Sequence, residues 1–505
     1  MKRPNIVTIL VDDMGYSDIG CFGGEIHTPN IDKLAAGGQS FTQFYNIARC
    51  CPSRASLMTG LFPHQTGIGH MTNIPQDKLS FDRQLFGYRG FLNHNCVTMA
   101  EALRDAGYHT YLAGKWHLGQ HEFDQRPNQR GFEKFYGILA GAANYFNPSP
   151  PQRLFYNDEQ VEPEGSSYYT TDAFTDYAIR FIGEKHDDAP FFLYLAYNAP
   201  HWPLQAPEEL VRKYRGRYRC GWDKLREERR ERMLRLGIIE KNCALSPRDP
   251  EVRPWDDLDE SKKDEMDLRM AVYAAQIERM DWNVGRLIAF LEEQGCLDNT
   301  LIMFLSDNGA CAEGGELGKG EIGQINRRDL SNLMVSYGRA WANASNTPFR
   351  MFKHYVHEGG IRTPLIVHWP DGIQYKGLIH ESGHLIDLMP TVLEVSGASY
   401  PARYHGNDIP ALEGVSLCPF FKNGERHIDR YLFWEHEENC SVRRGRYKAL
   451  QKYDTSHWEL YDLEEDPSEI HNIAASVPEI TRELSQRWYD WANTHHVIPK
   501  WREYK

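Results

Sequence analysis

Cys50 opens the run Cys50-Cys51-Pro52-Ser53-Arg54-Ala55-Ser56-Leu57-Met58-Thr59-Gly60, which combines a thiol, an arginine and the punctuation of a short helix. Proline suits a first helical turn and glycine suits the residue after the last, so Cys50 is expected near a helix N-terminus. Unpaired amides and the helix dipole attract an anion there. Arg54 adds a fork of donors whose charge does not titrate away. Two further pairs, Asp12-Asp13 and Asp307-Asn308, each follow an apolar run. Three carboxylates and an amide oxygen form a hard, all-oxygen set that suits calcium or magnesium better than zinc. Lys115 and His117 in Gly114-Lys115-Trp116-His117-Leu118-Gly119, His201 in Pro200-His201-Trp202-Pro203, and Lys353 supply cations and proton carriers.

These clusters need a scaffold that brings distant positions together. Apolar, β-rich runs over 6–11, 110–113, 191–197 and 301–305 end directly in them, and a fifth, 364–369, follows the segment 353–362. Continuous apolar runs of this length predict strands buried on both faces of a mostly parallel sheet. In open α/β sheets ligands bind beyond the carboxyl ends of the strands, so several such ends can share one pocket. Segments 97–106 and 270–293 have helical spacing and read as crossover helices stopped by Gly107 and Gly295. The segment 212–263, dense in Arg, Lys and Glu, reads as a solvated helical insertion. After about residue 415, short aromatic runs at 431–434, 447–450 and 458–461 precede a helix-like stretch near 480–492. The expected fold is therefore α/β: a large mixed sheet sandwiched by helices over 1–415, and a smaller antiparallel sheet with a terminal helix over 416–505.

With 505 residues the chain can bury a large core, and 70 acidic against 57 basic residues give a formal charge of -13. That balance argues against nucleic acid or an anionic membrane as a general partner, and any anion site must be a local basic pocket. No apolar run approaches the roughly 18–20 residues of a membrane span. Ten cysteines without a CxxC pair are read as mostly buried thiols, not a disulfide framework. Met1-Lys2-Arg3-Pro4 leads straight into a strand pattern, so a cytoplasmic location is expected of the chain as written, periplasmic or secreted if a signal peptide was removed.

The run from Cys50 matches the signature Cys-x-Pro-Ser-Arg of the formylglycine-dependent sulfatases, closed by Thr59-Gly60, and Gly114 to Gly119 matches that family's second signature. The resemblance extends to Trp458-Glu459-Leu460-Tyr461 near the C-terminus, and Asn346 to Arg350 and Phe433 to His436 look like the bacterial arylsulfatase branch of this alkaline phosphatase superfamily. It implies that Cys50, not Cys51, is oxidised to formylglycine by a maturation enzyme, and that Asp12, Asp13, Asp307 and Asn308, with the residue at position 50, hold one calcium ion. It implies that Arg54, Lys115 and Lys353 bind the sulfate of an aryl or carbohydrate ester, with Lys319 the competitor to Lys353. His117 would bond the formylglycine hydrate and His201 would protonate the leaving oxygen. Two rival readings remain: a phosphonate monoester or phosphodiester hydrolase of the same superfamily, and an inactive sulfated-glycan-binding protein. Tyr145, Arg83 and His436 are weaker candidates for contacts beyond the sulfate. A second metal cluster is not legible.

Overall fold

The computed structural model describes residues 2–72, 85–148, 153–330, 333–426 and 428–498. Ten strands form the main sheet: β1 Asn5–Val11, β2 Gln39–Tyr45, β3 His109–Lys115, β4 Lys134–Ile138, β5 Leu154–Tyr156, β6 Glu159–Val161, β7 Phe191–Ala196, β8 Thr300–Ser306, β9 Arg362–His368 and β10 Gly377–His384. Their order is β10-β2-β9-β8-β1-β7-β3-β4-β5-β6. The five central strands β8, β1, β7, β3 and β4 are mutually parallel, and β9 runs antiparallel to β8.

Alternation along β1 shows why these runs are apolar throughout. Val7, Ile9 and Val11 enter one core while Ile6 and Leu10 enter another, so helices cover both faces. Each such side chain contributes about 1.5–3 kcal/mol when fully buried, which forces the strand to stay in register. β2 and β10 escaped the sequence reading because QSFTQFY and GLIHESGH carry polar residues at the sheet's edge region.

The crossover helix Met99–Asp105 starts at Thr98, whose hydroxyl accepts from the Glu101 amide while the Glu101 carboxylate accepts from the Thr98 amide. The helix expected from 270 begins ten residues earlier and spans Glu260–Glu293, capped by Asp259. Its first turns are charged and lack the apolar stripe on which periodicity depends. The charged segment 212–263 is not merely solvated. Its helix Gly221–Leu236 buries Trp222, Leu225, Arg226, Arg229 and Met233, and Arg229 pairs with Asp18 at 2.7 Å and Glu25 at 2.8 Å in the interior.

β11 Arg403–Tyr404 and β12 Asn407–Asp408 form a small hairpin. β13 Tyr431–His436, β14 Asn439–Arg444, β15 Tyr447–Gln451 and β16 Glu459–Asp462 form a four-stranded antiparallel sheet, against which the helix Pro478–Thr494 packs through Leu484, Trp488 and Trp491. Among the described residues no helix is long and apolar enough to cross a membrane, and the ten cysteines form no disulfide.

Candidate active site

Asp12 and Asp13 follow β1, Lys115 ends β3, His201 follows β7, and Asp307 and Asn308 follow β8. Parallel strands deliver all of these to one edge of the sheet. β9 runs the other way, so its beginning lies at that edge, and the loop before it brings Lys353. Lys353 is buried at this edge, whereas Lys319 is exposed.

The helix that brings Cys50 spans Cys50–Thr59, all ten of its residues are buried, and Gly60 ends it at φ 71°. Ser53 folds its hydroxyl back onto the Ile47 amide at 3.0 Å, pinning the loop that precedes the thiol. Arg49, at the N-cap, makes no side-chain cap, and Pro52 has no amide to satisfy. One ligand atom each from Asp12, Asp13, Cys50 and His201 lies within 4.8 Å of the others. Cys51 points elsewhere: its sulfur accepts from the Thr72 amide at 3.3 Å and faces the His70 carbonyl.

Three cations meet three carboxylates. Lys115 Nζ donates to Asp12 Oδ2 at 2.7 Å and Lys353 Nζ donates to Asp13 Oδ2 at 2.9 Å. Arg54 donates to Asp307 Oδ2 through Nε at 3.1 Å and through a terminal nitrogen at 2.8 Å, and to the Lys115 carbonyl at 3.1 Å. Asn308 Nδ2 donates to Asp13 Oδ1 at 2.7 Å. Formal charge is therefore balanced without an ion. Two buried oxygens are nonetheless left over, because Asp12 Oδ1 and Asn308 Oδ1 accept no hydrogen bond. Orphaned oxygens beside clustered carboxylates fit a hard divalent cation. The titrations agree with crowding. Burial and the adjacent Asp12 push the Asp307 carboxyl up to about 7 despite Arg54, while Lys353 and His201 overcome burial and draw Asp13 down to about 2. A divalent cation would hold Asp13 and Asp307 ionised together.

Asp13 and His117 both adopt the left-handed backbone, at φ 67° and 56°. Such conformations in residues other than glycine store strain of the kind found at functional sites. The His117 ring lies against Gly141, where an added Cβ would come within 2.6 Å of its Cε1. Burial, Lys115 and Arg54 hold His117 well below its usual range. His201 hydrogen-bonds the Trp202 carbonyl through Nδ1 at 2.6 Å, leaving Nε2 3.4 Å from Asp13 Oδ2. Burial, with Lys353 and Lys115, draws its pKa down to about 4 although Asp13 opposes this. The Cys50 thiol is pushed up to about 12, chiefly by burial, against the pull of Lys353 and Lys115.

Sequence reasoning missed the rim of the site. Arg49 pairs with Glu313 at 2.9 Å, and Glu313 also accepts from Trp202 Nε1 at 3.0 Å. Arg49 had no motif role, and Glu313 sits in a glycine-rich stretch without periodicity. Tyr145 proves to stand behind the site, its hydroxyl shared by the carbonyls of Asn198 at 2.7 Å and His201 at 2.8 Å. Arg83 lies outside the described residues. A separate cleft of about 1140 Å³, lined by residues such as Gln43, His380 and Arg426, shares no residue with this cluster.

The mixed sheet with these charged strand ends has the alkaline phosphatase-like fold of its solved structural neighbours. The crystal structure of Ps i-CgsB in complex with k-i-k-neocarrahexaose matches with a TM-score of 0.72 at 27% identity, covering 99% of this chain and 95% of that one. The sulfatase family model matches residues 4–398, and the chain belongs to the sulfatase family. Residues 349–498 match the model described as the C-terminal part of N-sulphoglucosamine sulphohydrolase. An uncharacterized sulfatase of Schizosaccharomyces pombe is 35% identical over 96% of this chain and 93% of its own length. An arylsulfatase of Klebsiella aerogenes is 33% identical over 82% of this chain and 91% of its own, and an N-acetylgalactosamine-6-sulfatase of Rattus norvegicus is 28% identical over 91% and 74%. The chain is accordingly a hydrolase of sulfate esters.

Proposed function

We propose that this enzyme cleaves sulfate monoesters of aryl or carbohydrate alcohols with Cys50 converted to formylglycine and one calcium ion held by Asp12, Asp13, Asp307 and Asn308. The observation that carries the reading is Cys50 at a buried helix N-terminus, with its sulfur among Asp12, Asp13 and His201. A thiol pushed up to about 12 is a poor nucleophile at neutral pH, which favours its conversion over its direct use. Formylglycine at position 50, once hydrated, would supply a nucleophilic hydroxyl and a second one able to lose a proton, and calcium held by Asp12, Asp13, Asp307 and Asn308 would add positive charge beside the sulfate.

The remaining work falls to side chains already in place. Arg54, Lys115 and Lys353 neutralise and orient the sulfate, as positioned cations do in phosphoryl transfer. His201 donates a proton from Nε2 to the departing alkoxide. Burial, aided by the two lysines, keeps it neutral in the free enzyme with its proton on Nδ1; the bound negative ester raises that pKa, and Nε2 takes from solvent the proton that it then donates. His117, held neutral chiefly by burial, would accept a proton from such a hydrate. Cys50 is 1% exposed, so the maturation enzyme must reach it before this helix packs.

The named sugar sulfatase among the relatives, and the oligosaccharide in the Ps i-CgsB complex, support a glycan sulfate ester as substrate, while the Klebsiella relative supports aryl sulfates. Mass spectrometry of active enzyme should show the Cys50 peptide lighter than encoded and Cys51 still an alkylatable thiol. Cys50→Ala should abolish sulfate release and Cys51→Ala should not. Full activity with an intact Cys50 thiol would refute the proposal.

A further inference from the structure

Outside the Cys50 cluster, a second group of metal-ligating side chains gathers where β13 turns into β14. His436 ends β13 and Glu437-Glu438 form the two-residue turn, both with left-handed backbone at φ 48° and 69°. A turn of that type ordinarily takes Asn-Gly, since both positions require positive φ. Two glutamates there sacrifice turn propensity, and one of them places its carboxylate among three imidazoles. His70 Nε2 lies 3.1 Å from Glu437 Oε1, His354 Nδ1 lies 3.2 Å from Oε2, and His436 Nε2 lies 3.6 Å from Oε1. His354 follows Lys353 and is also left-handed, at φ 88°.

The independent sign of a ligand is His436. It is fully buried, yet neither ring nitrogen makes a hydrogen bond. Buried imidazoles ordinarily satisfy at least one nitrogen. A neutral imidazole with a free nitrogen lone pair is what a metal ion takes.

We propose that His354, His436 and Glu437 form a binding site for a transition-metal dication of the zinc type, with His70 holding the Glu437 carboxylate from outside the ligand group. One ligand atom each from His354, His436 and Glu437 lies within 4.8 Å of the others. Bonds of 2.0–2.1 Å in tetrahedral geometry put neighbouring ligands about 3.3 Å apart, and the nearest oxygens of Glu437 lie 3.2 Å from His354 Nδ1 and 3.6 Å from His436 Nε2. Nitrogen donors select zinc over calcium, so this site and the all-oxygen site of Asp12, Asp13, Asp307 and Asn308 take different ions and share no ligand. The bound ion would tie the β13–β14 hairpin to the loop that carries Lys353, beside the Arg49 rim of the sulfate pocket.

The test uses the intact enzyme in calcium-saturated buffer and needs no measurement of sulfate release, so it stands apart from the proposed activity. Calorimetric titration with Zn²⁺ should show one equivalent bound. His436→Ala and Glu437→Gln should each weaken binding at least about 100-fold, the upper end of what losing even a supporting partner costs a metal site, with calcium content unchanged. The Co²⁺ form should show ligand-field absorption without a thiolate charge-transfer band. Glu437→Gln preserves shape, so misfolding of the alanine variant would leave the test intact. No zinc uptake by the native enzyme, unchanged binding in Glu437→Gln, or a thiolate band assigning the ion to cysteine would each overturn the site.

Discussion

Replacing His201 by alanine should separate substrates by their leaving groups. His201 is 5% exposed, and its Nδ1 is committed to the Trp202 carbonyl at 2.6 Å, so Nε2 alone faces the cluster. General acid catalysis contributes about 10²–10⁴ in rate, or about 2.7–5.4 kcal/mol at 1.36 kcal/mol per decade. The vacated volume admits water, a weaker and less well placed acid, so the expected loss lies toward the lower end, about 10²–10³. That loss applies to sugar or alkyl sulfates, whose alkoxides need a proton as the S–O bond breaks. A nitrophenyl sulfate departs as a stabilised anion and should lose less than about tenfold. The assay compares kcat/KM for both substrate classes in native and variant enzyme, with calcium content and melting temperature checked to exclude a folding defect. Equal losses for the two classes would refute the acid role and make His201 a sulfate-binding residue.

Exhaustive chelation should lower sulfate release and melting temperature together, since a ligand bound only to the folded state stabilises it; active enzyme free of metal by elemental analysis would exclude the calcium assignment. Lys448 reaches Glu358 at 2.8 Å and Glu469 at 2.7 Å with all three buried, so Lys448→Met should cost about 3–5 kcal/mol in urea unfolding, partly recovered by adding Glu469→Gln. A variant as stable as the native chain would show that this triad does not join the small sheet to the helical turn Glu358–Ile361 before β9. Asp387 is buried, and Arg430 and Arg426 outweigh that burial to hold its carboxyl below the usual value. Its contribution is therefore present above the unfolded-state pKa and is lost as pH falls through the lower folded value, so Asp387→Asn should cost about 3–5 kcal/mol at neutral pH and progressively less in acid, where a constant difference would contradict the ion pair.

The sequence alone determined the parts whose constraints are local. β1, β3, β7 and β8 were legible because a strand covered on both faces must be apolar at nearly every position, and the helix from Cys50 because Pro52 and Gly60 mark its ends. The same apolar runs end in Asp12, Lys115, the His201 loop and Asp307, which is why the fold class could be read from them, while the family resemblance came from the runs Cys50 to Gly60 and Gly114 to Gly119. Tertiary structure decided what depends on partners far away in the chain. β14, with the sequence NCSVRR, becomes a strand only because β13 and β15 flank it, and Arg229 enters the interior only because Asp18 and Glu25 receive its charge. The Arg49–Glu313 rim joins residues 264 positions apart. His70, His354 and His436 lie in separate loops and strands with no motif spacing, and only the turn at Glu437 brings their ring nitrogens around one carboxylate. Local pattern records which face of an element is buried; it carries no record of which distant charge or ligand will meet it there.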